Sequence, residues 1–321
     1  MTTNSLPSHE LIDVRVTAVR VIAKDIKLFE LQRLDGKALP AAEAGAHIGV
    51  HLPNNIVRQY SLLTPDSNPS VYSIGVKKDP QSTGGSVYMH DQLHEGDSVK
   101  IESPRNNFPL NESAASSLLI AGGIGITPIW CMVRRLETLR KPWQLYYASR
   151  GRDDAVFLAE LENKPNVTLH FDDEHNGNVL DVATIVNNSP ADAHLYCCGP
   201  APMLAAFESA TESRPRENIH IEYFTAKEAS ATEGGFIVEL ARSKVKVFVP
   251  EGKSILYALR DAGLDMPSSC EEGVCGACEM RVLSGIPDHR DAILSEPERA
   301  ANNTMMICCS GCKSERLVLD Y

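Results

Sequence analysis

A chain of 321 residues with 42 acidic and 31 basic side chains carries a formal net charge of −11, which argues against general binding to nucleic acid or to anionic membranes. Its 43% hydrophobic content suits two or three cores, but the most apolar stretch, Leu118 to Trp130, is broken by glycines, Thr127 and Pro128 and makes no membrane span. The opening MTTNSLPSHE lacks a basic-then-apolar leader, so a cytoplasmic setting is expected, where the nine cysteines serve as metal ligands or active-site thiols rather than disulfides.

Residues 11–110 carry short alternating apolar runs, Val14-Arg15-Val16, Leu28-Phe29-Glu30-Leu31 and Val71-Tyr72-Ser73-Ile74, punctuated by Gly, Pro and Asn. This pattern predicts an antiparallel sheet or barrel, with a first domain over 1–112. Within it, RQYSLLT (Arg58 to Thr64) sets a cation, an aromatic ring and a hydroxyl on one strand through Arg58, Tyr60 and Ser61. A flavin needs those three groups, for its phosphate, its ring edge and its reactive nitrogen. Read alone, an Arg and a Tyr on a strand are more often surface pairing. GVKKDPQSTGGS (Gly75 to Ser86) ends in a Gly84-Gly85-Ser86 turn before a helical stretch, a candidate phosphate cradle of backbone amides.

Residues 113–225 change character. Continuous apolar strands at 118–120, 144–147, 167–170 and 194–197 alternate with helical stretches at 129–139 and 201–212, the pattern of a parallel α/β sheet. LLIAGGIGITPI (Leu118 to Ile129) reads as a buried strand running through Gly123 and Gly125 into a helix, with Thr127 as N-cap and Pro128 as first helical residue. The third glycine of the full dinucleotide fingerprint is replaced by Pro128, and a tight turn without ligand is the competing reading. In YCCGPAPM (Tyr196 to Met203), Cys198-Gly199-Pro200 ends a later strand at the sheet's carboxyl edge, where ligands bind. Cys197 should face the opposite side. For the coenzyme the strand ends offer both Arg150, suited to a 2′-phosphate, and Asp172-Asp173, suited to a free ribose.

AKEASATEGG (226–235) is small, polar and aperiodic and is expected to be a linker. Beyond it come two strand candidates, 236–240 and 245–249, and a helix at 254–262 closed by Gly263. Then follows CEEGVCGACEMRV, in which Cys270, Cys275 and Cys278 have the C-x4-C-x2-C spacing of plant-type ferredoxins, with a distant fourth cysteine at 308, 309 or 312. Gly273 and Gly276 supply the dihedrals needed to wrap backbone around an inorganic core. The rival is a zinc ribbon built on Cys275-x2-Cys278 and Cys309-x2-Cys312, which leaves Cys270 and both glycines without a role.

The stretch CEEGVCGACEMRVLSGIPDHRDAILSEPE, with MMICCS and RLVLDY beyond it, resembles the C-terminal ferredoxin domain of the phthalate dioxygenase reductase family. The likeness extends over the whole chain. It implies an antiparallel β-barrel flavin domain (1–112), a parallel α/β nucleotide domain (113–225) and a β-grasp ferredoxin domain (236–321). It makes Cys308 the fourth cluster ligand, although Cys309 stands where the family usually has an aliphatic residue and Cys312 where it has a small one. It implies FMN, bound by Arg58, Tyr60, Ser61, Gly75, Val76, Lys77, Gly84, Gly85 and Ser86, and NADH, bound by the Gly123–Thr127 turn, Asp172 and Cys198-Gly199-Pro200. Cys198 would lie beside the nicotinamide, Glu222 close to Ser61 and Cys198, and Phe224 over the flavin ring. An ordinary edge strand is the plainer reading of HIEYFTA (220–226).

A nicotinamide gives electrons in pairs, a [2Fe–2S] cluster takes them singly, and a flavin converts between the two. The reading is therefore an electron-transfer reductase, a monomer serving a Rieske-type terminal oxygenase that acts on aromatic acids or their methyl ethers. A cytochrome P450 or a quaternary-amine oxygenase is the alternative client, and a flavin reductase with a zinc module is the alternative of a different class.

Overall fold

The computed structural model describes residues 11–54, 56–79 and 84–321; the opening MTTNSLPSHE and positions 80–83 of the Gly75–Ser86 stretch lie outside them. The chain divides into two compact units, one ending at Glu222 and the other running Tyr223–Tyr321.

Alternation of side chains builds the first sheet. Along β1 (Leu11–Ala23), Ile12, Val14 and Val16 are buried while Leu11, Asp13 and Arg15 are exposed, the period of a strand with one face on a core. It pairs antiparallel with β2 (Ile26–Arg33). The sheet is completed by β3 (His47–Leu52), β4 (Ile56–Ser61), β5 (Tyr72–Lys77) and β6 (Ser98–Glu102), in the order β4-β3-β6-β1-β2-β5. Helix α1 (Gly85–Asp91) follows β5. The edge strands β4 and β5 meet through one isolated bridge, Leu62 to Ile74, just past the end of β4. The expected barrel is thus a six-stranded antiparallel sheet, with no continuous ladder closing it among the described residues.

The second sheet is parallel. Its strands are β7 (Ser117–Gly122), β8 (Trp143–Ser149), β9 (Val167–Phe171), β10 (His194–Cys198) and β11 (Ile219–Glu222), in the order β11-β10-β7-β8-β9. All six residues of β7 are buried, as a central strand covered on both faces requires. The helices are α2 (Ile126–Leu139), α3 (Leu158–Leu161), α4 (Val182–Asn187) and α5 (Ala201–Thr211). The chain leaves β7 toward β8 and β9, then returns to add β10 on the other side, so the order reverses between β7 and β10. In open α/β sheets ligands bind at that switch point, beyond the carboxyl ends of the strands. Phe108, Ala44 and Leu63 from the first sheet's segment share one core with Leu119, Ile126, Ile129 and Tyr196, so the two sheets of this unit are packed together.

The second unit is a mixed sheet, β13-β12-β18-β14-β16, made from β12 (Phe236–Leu240), β13 (Val245–Val249), β14 (Glu279–Ser284), β16 (Thr304–Met306) and β18 (Arg316–Leu319). A short pair, β15 (Pro287–Asp288) and β17 (Gly311–Cys312), stands beside it. Helix α6 (Ile255–Asp261) buries Ile255, Leu256, Ala258 and Leu259 in the sheet's core and is capped by Ser254, whose hydroxyl accepts from the Tyr257 amide. Helix α7 (Glu296–Ala301) starts with a capping box between Ser295 and Glu298. The segment 226–235 differs from a free linker. The Ala231 amide donates to the Cys309 carbonyl at 2.7 Å, and Arg290 reaches Glu228 and Glu233, so much of it lies against this unit.

Candidate flavin, nucleotide and iron–sulfur sites

Strand alternation puts Arg58 and Tyr60 on one face of β4 and Ser61 on the other. Ser61 is buried opposite His47. Burial pushes the Tyr60 hydroxyl well above its ordinary pKa, so the ring stays neutral. The Gly-Gly-Ser turn comes to Arg58. A Cβ on Gly85 would sit 2.7 Å from Arg58 Cγ, and Gly84 holds a left-handed φ of 109° that a side chain would resist. Ser86 Oγ accepts from the Asp79 amide at 3.1 Å, which ties the turn to the end of the β5 segment. Gly75 of β5 lies beneath the nucleotide turn, since a Cβ there would be 3.0 Å from Thr127 Cγ2. Val76 is buried and its carbonyl accepts from His90 at 2.8 Å, whereas Lys77 is half-buried. Arg58 of β4 and the Gly84-Gly85-Ser86 turn therefore lie together, while Gly75 of β5 meets the nucleotide turn at Thr127.

The turn after β7 differs from expectation in its cap. Helix α2 begins at Ile126 with Gly125 as N-cap, and Thr127 lies inside the first turn. Its hydroxyl donates to the Ile124 carbonyl at 2.9 Å, a bond made within the turn, which leaves it no capping role. The glycines are there for close approach. A Cβ on Gly125 would strike the Cys198 carbonyl, one on Gly199 would lie 2.7 Å from Met203 Sδ, and one on Gly122 would lie 2.5 Å from Pro200 Cδ. Gly123, at φ 53°, faces open space. The β7 turn and the Cys198-Gly199-Pro200 turn thus close on each other across the switch point. Gly122 and Met203 complete this junction and were not singled out from the sequence; the adjacent glycines at 122 and 123 were the available signal.

Cys198 and Glu222 face each other in the β10–β11 register, and the Cys198 thiol hydrogen-bonds the Glu222 carboxyl. Burial raises Glu222 to about 8, so at neutral pH it is largely protonated. Burial, together with Glu222, pushes the Cys198 thiol well up, and it stays a thiol. Glu222 Oε2 is buried with no hydrogen-bond partner. Cys197 is also fully buried. Phe224 belongs to the second unit and is 40% exposed. Past β9, Asp172 stands 3.5 Å from His170 Nε2, the Asp173 amide donates to the Arg150 carbonyl at 3.0 Å, and the Arg150 guanidinium points to Asp154 at 3.4 Å.

In the second unit the cysteines pair two and two. Cys270 and Cys275 are hydrogen-bonded to each other, as are Cys278 and Cys308. Among the described residues no three His, Cys, Asp or Glu surround a single point as one metal ion requires. A two-iron cluster held by four cysteines, a pair for each iron, asks for this arrangement instead. Within the Cys270–Cys275 pair one sulfur is favoured as the anion, while the shared bond and burial push Cys275 up. The hydrogen bond from Cys275, reinforced by the amides of Glu272, Val274 and Cys275, pulls the Cys270 thiol down to about 6. Gly273 (φ 72°) and Gly276 (φ 77°) are left-handed, and a Cβ on Gly273 would strike Cys309 Sγ. Cys312 is elsewhere, on β17, its thiol donating to the Ser314 carbonyl at 3.0 Å. The thiol set fits a [2Fe–2S] cluster.

Fold and site together define a nicotinamide-dependent iron–sulfur oxidoreductase. Residues 238–313 match the 2Fe-2S iron-sulfur cluster binding domain model, which removes the zinc-module alternative, and residues 119–209 match the oxidoreductase NAD-binding domain model. The chain is 49% identical over 310 residues to phenoxybenzoate dioxygenase subunit beta of Ectopseudomonas oleovorans, covering 96% of this chain and 97% of that one. A solved phthalate dioxygenase reductase, described as a modular structure for electron transfer from pyridine nucleotides to [2Fe-2S], superposes with a TM-score of 0.73 at 38% identity, over 97% and 98% of the two chains. An intact type IV self-sufficient cytochrome P450 monooxygenase gives a TM-score of 0.88 at 36% identity, over 97% of this chain but 41% of that larger one. The chain belongs to the phthalate dioxygenase reductase family. It is an oxidoreductase with an NAD-binding domain and a [2Fe–2S] domain. No helix among the described residues is long and apolar enough to cross a membrane.

Proposed function

We propose that this chain is the reductase component of a multicomponent Rieske-type oxygenase acting on carboxylated aromatics or their methyl ethers, and that it works as one chain in the cytoplasm. The pairing of Cys270 with Cys275 and of Cys278 with Cys308 carries the proposal, because it provides a one-electron exit in a chain that also binds NAD. The bound flavin supplies the conversion of paired electrons into single ones.

Each group of residues has a part in this scheme. Arg58 and the Gly84-Gly85-Ser86 turn hold the flavin phosphate, Tyr60 its ring edge, and Gly75-Val76-Lys77 the strand beneath; the contact of Gly85 with Arg58 supports this. With its edges meeting at Leu62 and Ile74, the six-stranded sheet acts as the flavin barrel. Gly123, Gly125 and Thr127 with Gly199 and Pro200 receive the coenzyme at the switch point, and Asp172 favours the free ribose of NADH. Cys198 and Glu222 keep that pocket dry and uncharged at neutral pH, and the unpartnered Glu222 Oε2 is available to a polar group of the ligand. Cys270, Cys275, Cys278 and Cys308 hold the cluster. The relationship to phenoxybenzoate dioxygenase subunit beta supports the oxygenase client, while the likeness to a self-sufficient P450 supports a second reading in which a P450 takes the electrons.

The test is reconstitution. With NADH and a purified Rieske oxygenase of the aromatic-acid class, this protein should sustain substrate-dependent NADH oxidation and product formation. Product formed only when a P450 replaces the oxygenase would favour the second reading, and electron delivery to neither would refute the proposal.

A further inference from the structure

We propose that Glu174 is a specificity-determining residue for the coenzyme: by pairing with Arg152 beyond the end of β9, it withholds that guanidinium from a 2′-phosphate and turns the site away from NADPH. The inference deepens the NADH reading proposed above and rests on it.

β8 and β9 are parallel neighbours whose last residues, Ser149 and Phe171, lie side by side, so the turns that follow share the carboxyl edge of the sheet. With the nicotinamide read at Cys198 on β10 and the pyrophosphate at the β7 turn, the adenosine half runs on in the order β10-β7-β8-β9 to these two turns. They are packed together. The Asp173 amide donates to the Arg150 carbonyl at 3.0 Å, and a Cβ on Gly151 would lie 2.6 Å from Asp173 Oδ2. The first turn carries Arg150 and Arg152, the second Asp172, Asp173 and Glu174. Both guanidinia are engaged. Arg150 reaches Asp154 at 3.4 Å, near its own turn. Arg152 crosses to the second turn, where its Nε donates to Glu174 Oε1 at 2.5 Å and its Nη2 to Glu174 Oε2 at 3.4 Å. The same guanidinium lies over Phe171, 4.6 Å from the centre of the ring.

The two contacts on Arg152 do different things. Phe171 fixes where the guanidinium stands, and Glu174 fills the fork that the oxygens of a phosphate would otherwise take. Removing the carboxylate alone therefore leaves a positioned cation with its fork open. A turn of carboxylates suits the hydroxyls of a free ribose and repels a phosphate, whereas an available arginine accommodates the phosphate. The Arg152 and Glu174 side chains are 53% and 44% exposed, so the pair is within reach of a ligand and is screened by solvent. That exposure limits the effect to roughly threefold to tenfold, less than a buried charge-assisted bond would give. Arg150 is 75% exposed and its ion pair is long, so it is the less well placed of the two to hold a phosphate.

The experiment compares coenzymes on the holoprotein. Flavin reduction by NADH and by NADPH is followed in stopped flow, and 2′,5′-ADP and 5′-AMP, which differ only in the 2′-phosphate, are titrated by calorimetry. Glu174→Gln should raise the ratio of the NADPH to the NADH second-order rate constant roughly threefold to tenfold. The gain should come from tighter NADPH binding and not from a faster limiting rate, and 2′,5′-ADP should tighten by the same factor relative to 5′-AMP. Adding Arg152→Ala to Glu174→Gln should abolish the gain. An unchanged ratio in Glu174→Gln, with NADH still preferred, would overturn this proposal alone. So would a gain that survives the loss of Arg152, which would mean simple repulsion, or an equal change for both coenzymes, which would mean altered packing. A preference for NADPH in the unsubstituted protein would refute the NADH reading and this proposal with it.

Discussion

Cys198, at the end of β10, and Cys270, at the start of the ligand loop, are both sheltered from solvent, and their surroundings push the two thiols in opposite directions. Cys198 is fully buried with a carboxyl for its partner, and it is driven well above the ordinary range. Cys270 meets a second thiol and a ring of backbone amides, one of them the Glu272 N–H at 3.4 Å, and it is drawn down to about 6. Burial without donors preserves a neutral thiol, fit to line a coenzyme pocket. Burial with donors prepares a thiolate, fit to hold iron. The difference lies in the neighbouring dipoles as well as in depth, since Cys198 is fully buried and Cys270 half-buried.

The most severe way to test that contrast is to remove the thiolate. Cys270→Ser should lose the cluster's iron and visible absorption. Reduction of one-electron acceptors should fall by at least about 100-fold, since even outer-shell changes at metal sites cost 10–100-fold. NADH-driven flavin reduction should persist. Survival of one-electron transfer would break the comparison at its iron end.

At the other end, Cys198→Ala should slow flavin reduction by NADH roughly tenfold to a hundredfold in stopped flow, the cost of misplacing reactants by a fraction of their contact distance. FMN content should be unchanged. An undiminished rate would reduce Cys198 to core packing.

Glu222 sharpens the comparison through pH. Its carboxyl is raised from 4.5 to about 8 in the folded chain, so the unfolded chain releases its proton first as pH rises. The contribution of this group to stability is fully present below pH ~4.5, declines as pH climbs and is lost beyond about 8, by an amount on the order of a few kcal/mol. Glu222→Gln should remove this decline. Relative to the natural protein the variant should therefore gain stability between pH 5 and 8, as followed by denaturant midpoints at several pH values. Parallel pH profiles for the two proteins would count against a protonated Glu222.

The smallest effect is expected at Cys312. Its thiol bonds Ser314 on a strand pair away from the paired cysteines, so Cys312→Ser should keep full iron and change stability by no more than about 0.5 kcal/mol. Cys308→Ser should lose the cluster, and the reverse outcome would redraw the ligand set.

What was legible in the sequence was what local pattern controls. Phe236–Leu240 and Val245–Val249 are strands at the expected bounds because their alternation is uninterrupted, and Ser254 to Gly263 carries both a cap and a stop. The spacing of Cys270, Cys275 and Cys278 also spoke locally. What depended on distant partners was not legible. Thr127 looks like an N-cap until the Ile124 carbonyl takes its hydroxyl. Residues 226–235 look free because no periodicity reveals that the Ala231 amide meets the Cys309 carbonyl 78 positions along the chain. Cys308, Cys309 and Cys312 are equivalent on spacing. They separate only when the fold sets the first beside Cys278, the second beneath Gly273 and the third on β17.

The central claim is that electrons pass from NADH through the flavin to the paired thiols' cluster, and one measurement addresses it directly. The protein, holding full FMN, iron and sulfide, is mixed anaerobically with limiting NADH, followed by absorbance and then by freeze-quench EPR. Flavin absorption should fall first, and the EPR signal of a reduced [2Fe–2S] cluster should then rise while the flavin recovers part of its absorption. In Cys308→Ser the first phase should occur without the second. A flavin that bleaches in the unsubstituted protein while the intact cluster stays EPR-silent would contradict the account.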